Sequence, residues 1–130
     1  MIVSLHVAVG AVAGAVAESR AGALALGPVV HLAGDRMPHE DIHSRRFELG
    51  SGLFGLALLA VRRGPLSPVT LGAAAASAPD LEHLFPLLRP RGRKLFHPRG
   101  WHRSGGVSAE AQLLAAGIVL GCFLAPRRPA

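Results

Sequence analysis

The sequence predicts an all-α fold: an up-and-down bundle of about five short apolar helices, membrane-associated and forming a single domain over residues 1–130. Three observations carry this. Half of the 130 residues are hydrophobic, dominated by Ala, Gly, Leu and Val, and they fall into five separate runs. The period-2 alternation of a half-buried sheet is missing. The links between the runs hold Pro, Gly and charge, and most are short, so neighbouring helices should be antiparallel.

The runs are residues 5–17, 22–34, 47–61, 66–78 and 107–125. The first four, at 13 to 15 residues, make helices of about 20 Å, against about 30 Å for the hydrocarbon core of a bilayer. Only VSAEAQLLAAGIVLGCFLA, the fifth, approaches spanning length and is the candidate transmembrane helix. All five are apolar on most faces, which favours a buried or membrane-embedded bundle over amphipathic surface helices. ESRAG (18–22) closes the first helix and DRMPHEDIHSRR (35–46) the second, where Pro38 is the breaker. RRGP (62–65) closes the third. A long basic loop, 79–106, precedes the last helix, and a short basic tail, 126–130, follows it. The first 22 residues share an apolar run and small residues with secretory leaders. They lack the positively charged n-region, and His6 interrupts the run, so the segment is expected to be retained.

Following the chain up and down sorts the polar residues. His6 opens the first helix, His31 to Asp41 return to the same end, Pro79 to His83 return again, and the long loop delivers His97 and His102 there. All seven histidines, and every carboxylate except Glu18, are expected at one end of the bundle. A sparse internal repeat at an offset of 41 pairs Pro38 with Pro79, His39 with Asp80 and Asp41 with Glu82, and gives the two acidic turns related places.

Such clustering has a common explanation in a divalent metal. Cys122 is the only cysteine, which excludes an internal disulfide and a Cys-rich zinc site, so the ligands must be His and carboxylate. His31 and Asp35, four apart, share a helix face; Asp80 and His83, three apart, do the same if their helix continues. The candidate ligands are Asp35, His39, Asp80 and His83, followed by His6, His31 and His102. Mixed imidazole and carboxylate ligands suit Zn²⁺ first and Mn²⁺ second. Ordinary structural roles stand beside this reading. Asp35 could pair with Arg36. His31 could be a hydrogen-bonded core histidine, and Asp80 after Ser77 fits a helix-capping pattern.

The formal charge is +6, from 14 Lys/Arg against 8 Asp/Glu, which suits a phosphate-bearing lipid or small-molecule substrate, or an anionic membrane surface. RPRGRKLFHPRGWHRS (89–104) could clamp phosphate oxygens beside a metal, with Arg99 and Arg103 steadying an anionic substrate. One Trp and one Phe there are too few for a base-stacking platform, so nucleic acid ranks last among the partners. Asp41 or Glu82 could act as general base. Nine Lys/Arg at the histidine-rich end against five at the far end place the site on the cytoplasmic face by the positive-inside rule.

His6 before a Gly/Ala-rich helix, the turn Pro79-Asp80-Leu81-Glu82-His83, and His97-Pro-Arg-Gly-Trp-His102-Arg-Ser104 together resemble the LexA-regulated, membrane-bound metal-dependent hydrolases, the YdjM-like family. That family is held to be distantly similar to zinc-dependent phospholipase C and P1 nuclease. In the third element Pro98 and Arg103 are extra and the family's Thr is absent. The resemblance implies a helical protein of the bacterial inner membrane, a divalent metal, and hydrolysis, of phosphoester bonds in the related enzymes. The alternative from another class is a non-catalytic helical membrane protein whose polar end binds metal or a partner protein.

Overall fold

The computed structural model describes residues 1–84, 96 and 105–126. Among these, five helices of ten residues or more make up the fold. They are α1 (Val3–Ala17), α2 (Arg20–Asp35), α3 (Arg45–Arg63), α4 (Pro68–Ser77) and α6 (Ala109–Leu124). A 3-10 turn at Ala78–Asp80 and the one-turn helix α5 (Leu81–Leu84) follow α4. No strand occurs among the described residues, only a single bridge between His39 and Val107.

Four of the long helices start after a serine. The side chains of Ser19, Ser44, Ser67 and Ser108 accept from the backbone N–H three residues on, at 3.1, 3.4, 3.2 and 3.2 Å. Each satisfies one of the donors that a helix start leaves without an intrahelical partner. Pro68 then takes the first position of α4, where its missing N–H costs nothing. At two of the carboxyl ends the chain turns through positive-φ backbone: Glu18 closes α1 at φ 53° and Gly64 closes α3 at φ 90°. The last turn of α3 also finishes α6. Arg62 Nε donates to Leu124 O (2.9 Å) and Arg63 Nε to Phe123 O (2.7 Å), placing two cations on the negative end of the α6 dipole.

α1 is the central helix, in contact with α2, α3, α4 and α6. Its approach to α4 is backbone on backbone. A Cβ on Gly10 would lie 2.9 Å from the Cα of Ala73, and one on Gly72 would lie 2.8 Å from Gly14 N. Gly10 meets Gly72 and Ala73 while Gly14 meets Pro68 and Val69, so the two helices are antiparallel. Gly52 lies on Val3 and Gly55 on Val7, so α3 runs with α1. The up-and-down path follows, with α1, α3 and α6 in one direction and α2 and α4 in the other. Val7, Ala8, Ala11, Leu59, Ala73, Ala116 and Leu120 form the core. Its small residues are what allow the helices to come so close.

The outside of the bundle is apolar as well. Large hydrophobic side chains are exposed on α1, α2, α3 and α6, among them Val16, Val29, Leu53, Phe54, Val61, Leu114 and Ile118. No described helix is long and apolar enough to cross a membrane. The expected spanning segment at 107–125 is reduced to the 16 residues of α6, about 24 Å long, because Val107 pairs with the 38–40 turn and Ser108 is the cap.

Candidate metal centre

The directions of the helices bring the amino end of α1 and the carboxyl ends of α2 and α4 together. His6 sits one turn into α1, His31 and Asp35 lie in the last turns of α2, and Asp80 ends the 3-10 turn after α4. His6 and His31 are both fully buried and their rings stack, with centroids 4.0 Å apart. His6, His31 and Asp80 each present a ligand atom within 4.8 Å of the others. Asp35, 3% exposed, joins them: Oδ1 is 2.9 Å from His6 Nε2 and Oδ2 is 3.3 Å from His31 Nε2.

The protonation of the imidazoles follows from their partners. His31 Nδ1 lies 2.8 Å from the carbonyl of Ala76, which only accepts, so Nδ1 carries the proton and Nε2 turns toward Asp35. His39 Nδ1 is held in the same way by Met37 O at 2.7 Å. A histidine whose Nδ1–H is fixed on a backbone carbonyl presents Nε2 in the tautomer a metal requires. Burial lowers the His6 pKa below its usual 6.5, against the opposing hydrogen bond from Asp35, and His31 beside it adds to the lowering. Neutral His6 then donates through Nε2 to Asp35. Its Nδ1 is left buried with no hydrogen-bond partner among the described residues. A buried acceptor without a donor costs about 1–3 kcal/mol, which a bound cation can offset.

The donor set fits Zn²⁺. Tetrahedral ligands at zinc bond lengths lie about 3.4 Å apart, so separations within 4.8 Å would have to contract by up to about 1.4 Å. Two imidazoles and one or two carboxylates are hard-to-borderline donors that also suit Mn²⁺.

A second group lies alongside. The Met1 amino group donates to Asp35 Oδ1 at 2.8 Å and contacts His39 Nε2, which is 3.4 Å from Asp41 Oδ1. His39 is buried and Asp41 is exposed. Pairing of Glu40 N with Val107 O and of Val107 N with Pro38 O ties this turn to the strand of chain entering α6. Glu82 is buried, and its Oε2 accepts from the backbone N–H of Phe96 at 3.3 Å.

Four of the seven predicted ligands, His6, His31, Asp35 and Asp80, therefore meet, and His39 stands next to them. The side chain of His83 lies outside the described residues, as do His102, His97, Arg99 and Arg103. The capping alternative for Asp80 does not describe the turn. Ser77 Oγ donates backward to Ala73 O and Ala74 O instead of capping forward. Asp35 turns inward to two histidines while Arg36 is exposed. His31 is a hydrogen-bonded core histidine through Nδ1, and its Nε2 is turned to Asp35.

One residue has no counterpart in the sequence reading. Gln112 of α6 is buried; its Oε1 accepts from Ile2 N (3.1 Å) and its Nε2 donates to Glu40 O (2.8 Å) and Val107 O (3.2 Å). It fastens the start of α1 and the His39 turn to α6. The only signal was a polar residue that, with Glu110, interrupts the apolar α6.

The geometry defines a class, a small helical bundle with a His/Asp cluster buried at one end. Comparison with family models, with curated proteins and with solved structures finds no match to this chain.

Proposed function

We propose that the protein is a membrane-associated, metal-dependent hydrolase acting on phosphoester bonds, with its metal held by His6, His31, Asp80 and Asp35. The observation that carries the reading is the convergence of His6, His31 and Asp80 within 4.8 Å, with both Asp35 oxygens turned to the two imidazoles. When bound, Zn²⁺ would lower the pKa of a water and polarise a phosphoryl oxygen. The chain's own part is positional. The Ala76 carbonyl sets the His31 tautomer, and Asp35 orients His6 by accepting from its Nε2. Asp41, exposed beside His39, is better placed than Glu82 to exchange a proton with solvent. Exposed apolar side chains around four helices support membrane association. The family resemblance supports the inner membrane, and the excess of Lys/Arg at the cluster's end supports the cytoplasmic side.

A second reading, a non-catalytic protein with a structural metal, is favoured by the complete burial of His6 and His31. A closed ligand shell argues structural, an exchangeable position catalytic.

The test is metal content by mass spectrometry on protein purified in mild detergent without added metal, wild type against an Asp35→Ala, Asp80→Ala double variant. Near-stoichiometric zinc or manganese, lost in the variant, is expected. Well-folded wild type that stays empty after reconstitution with both metals overturns the hydrolase reading. With Co²⁺ in the site, a visible spectrum that changes on adding phosphate marks an open position, and an unchanged one the structural alternative.

A further inference from the structure

At the end of the bundle opposite the His/Asp cluster, the α1–α2 and α3–α4 turns enclose an open groove of about 500 Å³. Its walls are Arg20 and Glu18 on one side and Arg63, Leu66, Ser67 and Pro68 on the other. The groove is basic by construction. Among the described residues neither Arg20 nor Arg63 makes an ion pair with a carboxylate, and Glu18 is the sole acid at this end. Arg63 is also held in place: its Nε donates to Phe123 O and its guanidinium lies 5.6 Å from the centre of the Phe123 ring. Arg63 therefore lines the groove with a guanidinium held in one place, and a planar guanidinium suits phosphate oxygens.

What surrounds the groove narrows the ligand. Leu66, in the groove wall, is exposed, and so are Val16, Leu24 and Val61 in the helix ends that lead into these turns. Val16 and Val61 are 74% and 85% exposed, high values for aliphatic side chains with nothing against them. A free inorganic anion would use the arginines and gain nothing from this apolar rim. A phospholipid uses both, its phosphate between the guanidiniums and its acyl chains along the apolar sides. We infer that this groove binds the headgroup of an anionic phospholipid and so seats the far end of the bundle at the bilayer surface. The inference rests on the membrane-association reading and adds to it a named site and a lipid preference.

The experiment is vesicle flotation of the full chain at 0.1 M salt. It uses neutral phosphatidylcholine vesicles and vesicles with about a third phosphatidylglycerol, for wild type, Arg20→Gln and Glu18→Gln. Arg20 is exposed and at the first position of α2, so its replacement leaves the packing intact, and circular dichroism checks this. Wild type should prefer the anionic vesicles, Arg20→Gln should bind them about fivefold less well, and Glu18→Gln more tightly. Binding to neutral vesicles should be the same for all three. Equal wild-type binding to the two vesicle types, or no change in either variant, overturns the lipid site while leaving membrane association standing. No flotation with either vesicle overturns both. Inorganic phosphate at millimolar concentration that abolishes the preference for anionic vesicles would make this a small-anion groove and overturn the lipid assignment.

Discussion

Replacing Gln112 with leucine tests whether one buried amide fastens the amino end of α1 and the His39 turn to α6. Leucine has about the volume of glutamine, so packing changes little and the loss is polar. The Ile2 N–H, on a fully buried residue, loses its acceptor at 3.1 Å and cannot reach water. An orphaned buried donor of this kind costs about 1–3 kcal/mol. The Glu40 carbonyl loses its donor at 2.8 Å, but Glu40 is exposed and water replaces the amide, so this loss is about 0.5–1.5 kcal/mol. Together the substitution should cost about 2–4 kcal/mol. For a domain of this size each kcal/mol moves the melting temperature by about 3–5 °C, giving a drop of about 6–20 °C by circular dichroism or calorimetry. Gln112→Glu keeps an acceptor for Ile2 N and loses the donor to Glu40, and it buries a charge, so it should be no better. A shift under about 2 °C for Gln112→Leu would refute the reasoning, because it would mean that Ile2 N–H finds another partner at no cost.

Three further substitutions follow from packing and charge. Gly72→Ala would push a methyl group into the backbone of Gly14 and Gly10, atoms that cannot turn aside, and should cost about 3 kcal/mol or more in chemical denaturation. Gly50→Ala in α3 meets nothing within 4 Å and should instead gain about 0.5–1 kcal/mol, so equal effects at the two glycines would sink the close-contact argument. Burial first, then the Asp41 and Asp80 charges, raise the Glu48 pKa above its usual 4.5. The folded state therefore favours protonated Glu48, and stability falls as pH rises from that value through the folded pKa. In chelator, Glu48→Gln should stabilise the protein at neutral pH and lose its advantage below about pH 4.5; a gain independent of pH would point to some cause other than the carboxylate.

The apolar surface of this bundle and its buried polar end pull in opposite directions. Large aliphatic side chains face outward on four helices, yet the two most deeply buried side chains near Asp35 are imidazoles. A bilayer would receive the first. A cation would repay the desolvation of the second.

All five helices were legible in the sequence, because their apolar runs are interrupted only by residues that stop helices. The runs 5–17, 22–34 and 47–61 differ from α1, α2 and α3 by one or two residues at their ends. The starts at 66 and 107 move inward to Pro68 and Ala109, where Ser67 and Ser108 cap the chain. His31 with Asp35 was readable too, since a spacing of four fixes a shared helix face whatever the rest of the fold does. The alternating direction of the helices was enough to send His6 and Asp80 to the same end. It was not enough to say that they touch. His6 and Asp35 are 29 residues apart, and their 2.9 Å contact exists because α1 and α2 form a closely packed antiparallel hairpin. His31 could be oriented only once the carboxyl end of α4 had delivered the Ala76 carbonyl, across 45 residues. The role of Gln112, acting across 110 residues on Ile2, depended on α6 running parallel to α1. Periodicity and breakers act within a few residues and are written locally. Contacts between helices depend on which ridges of small residues interlock, and only the packed chain decides that.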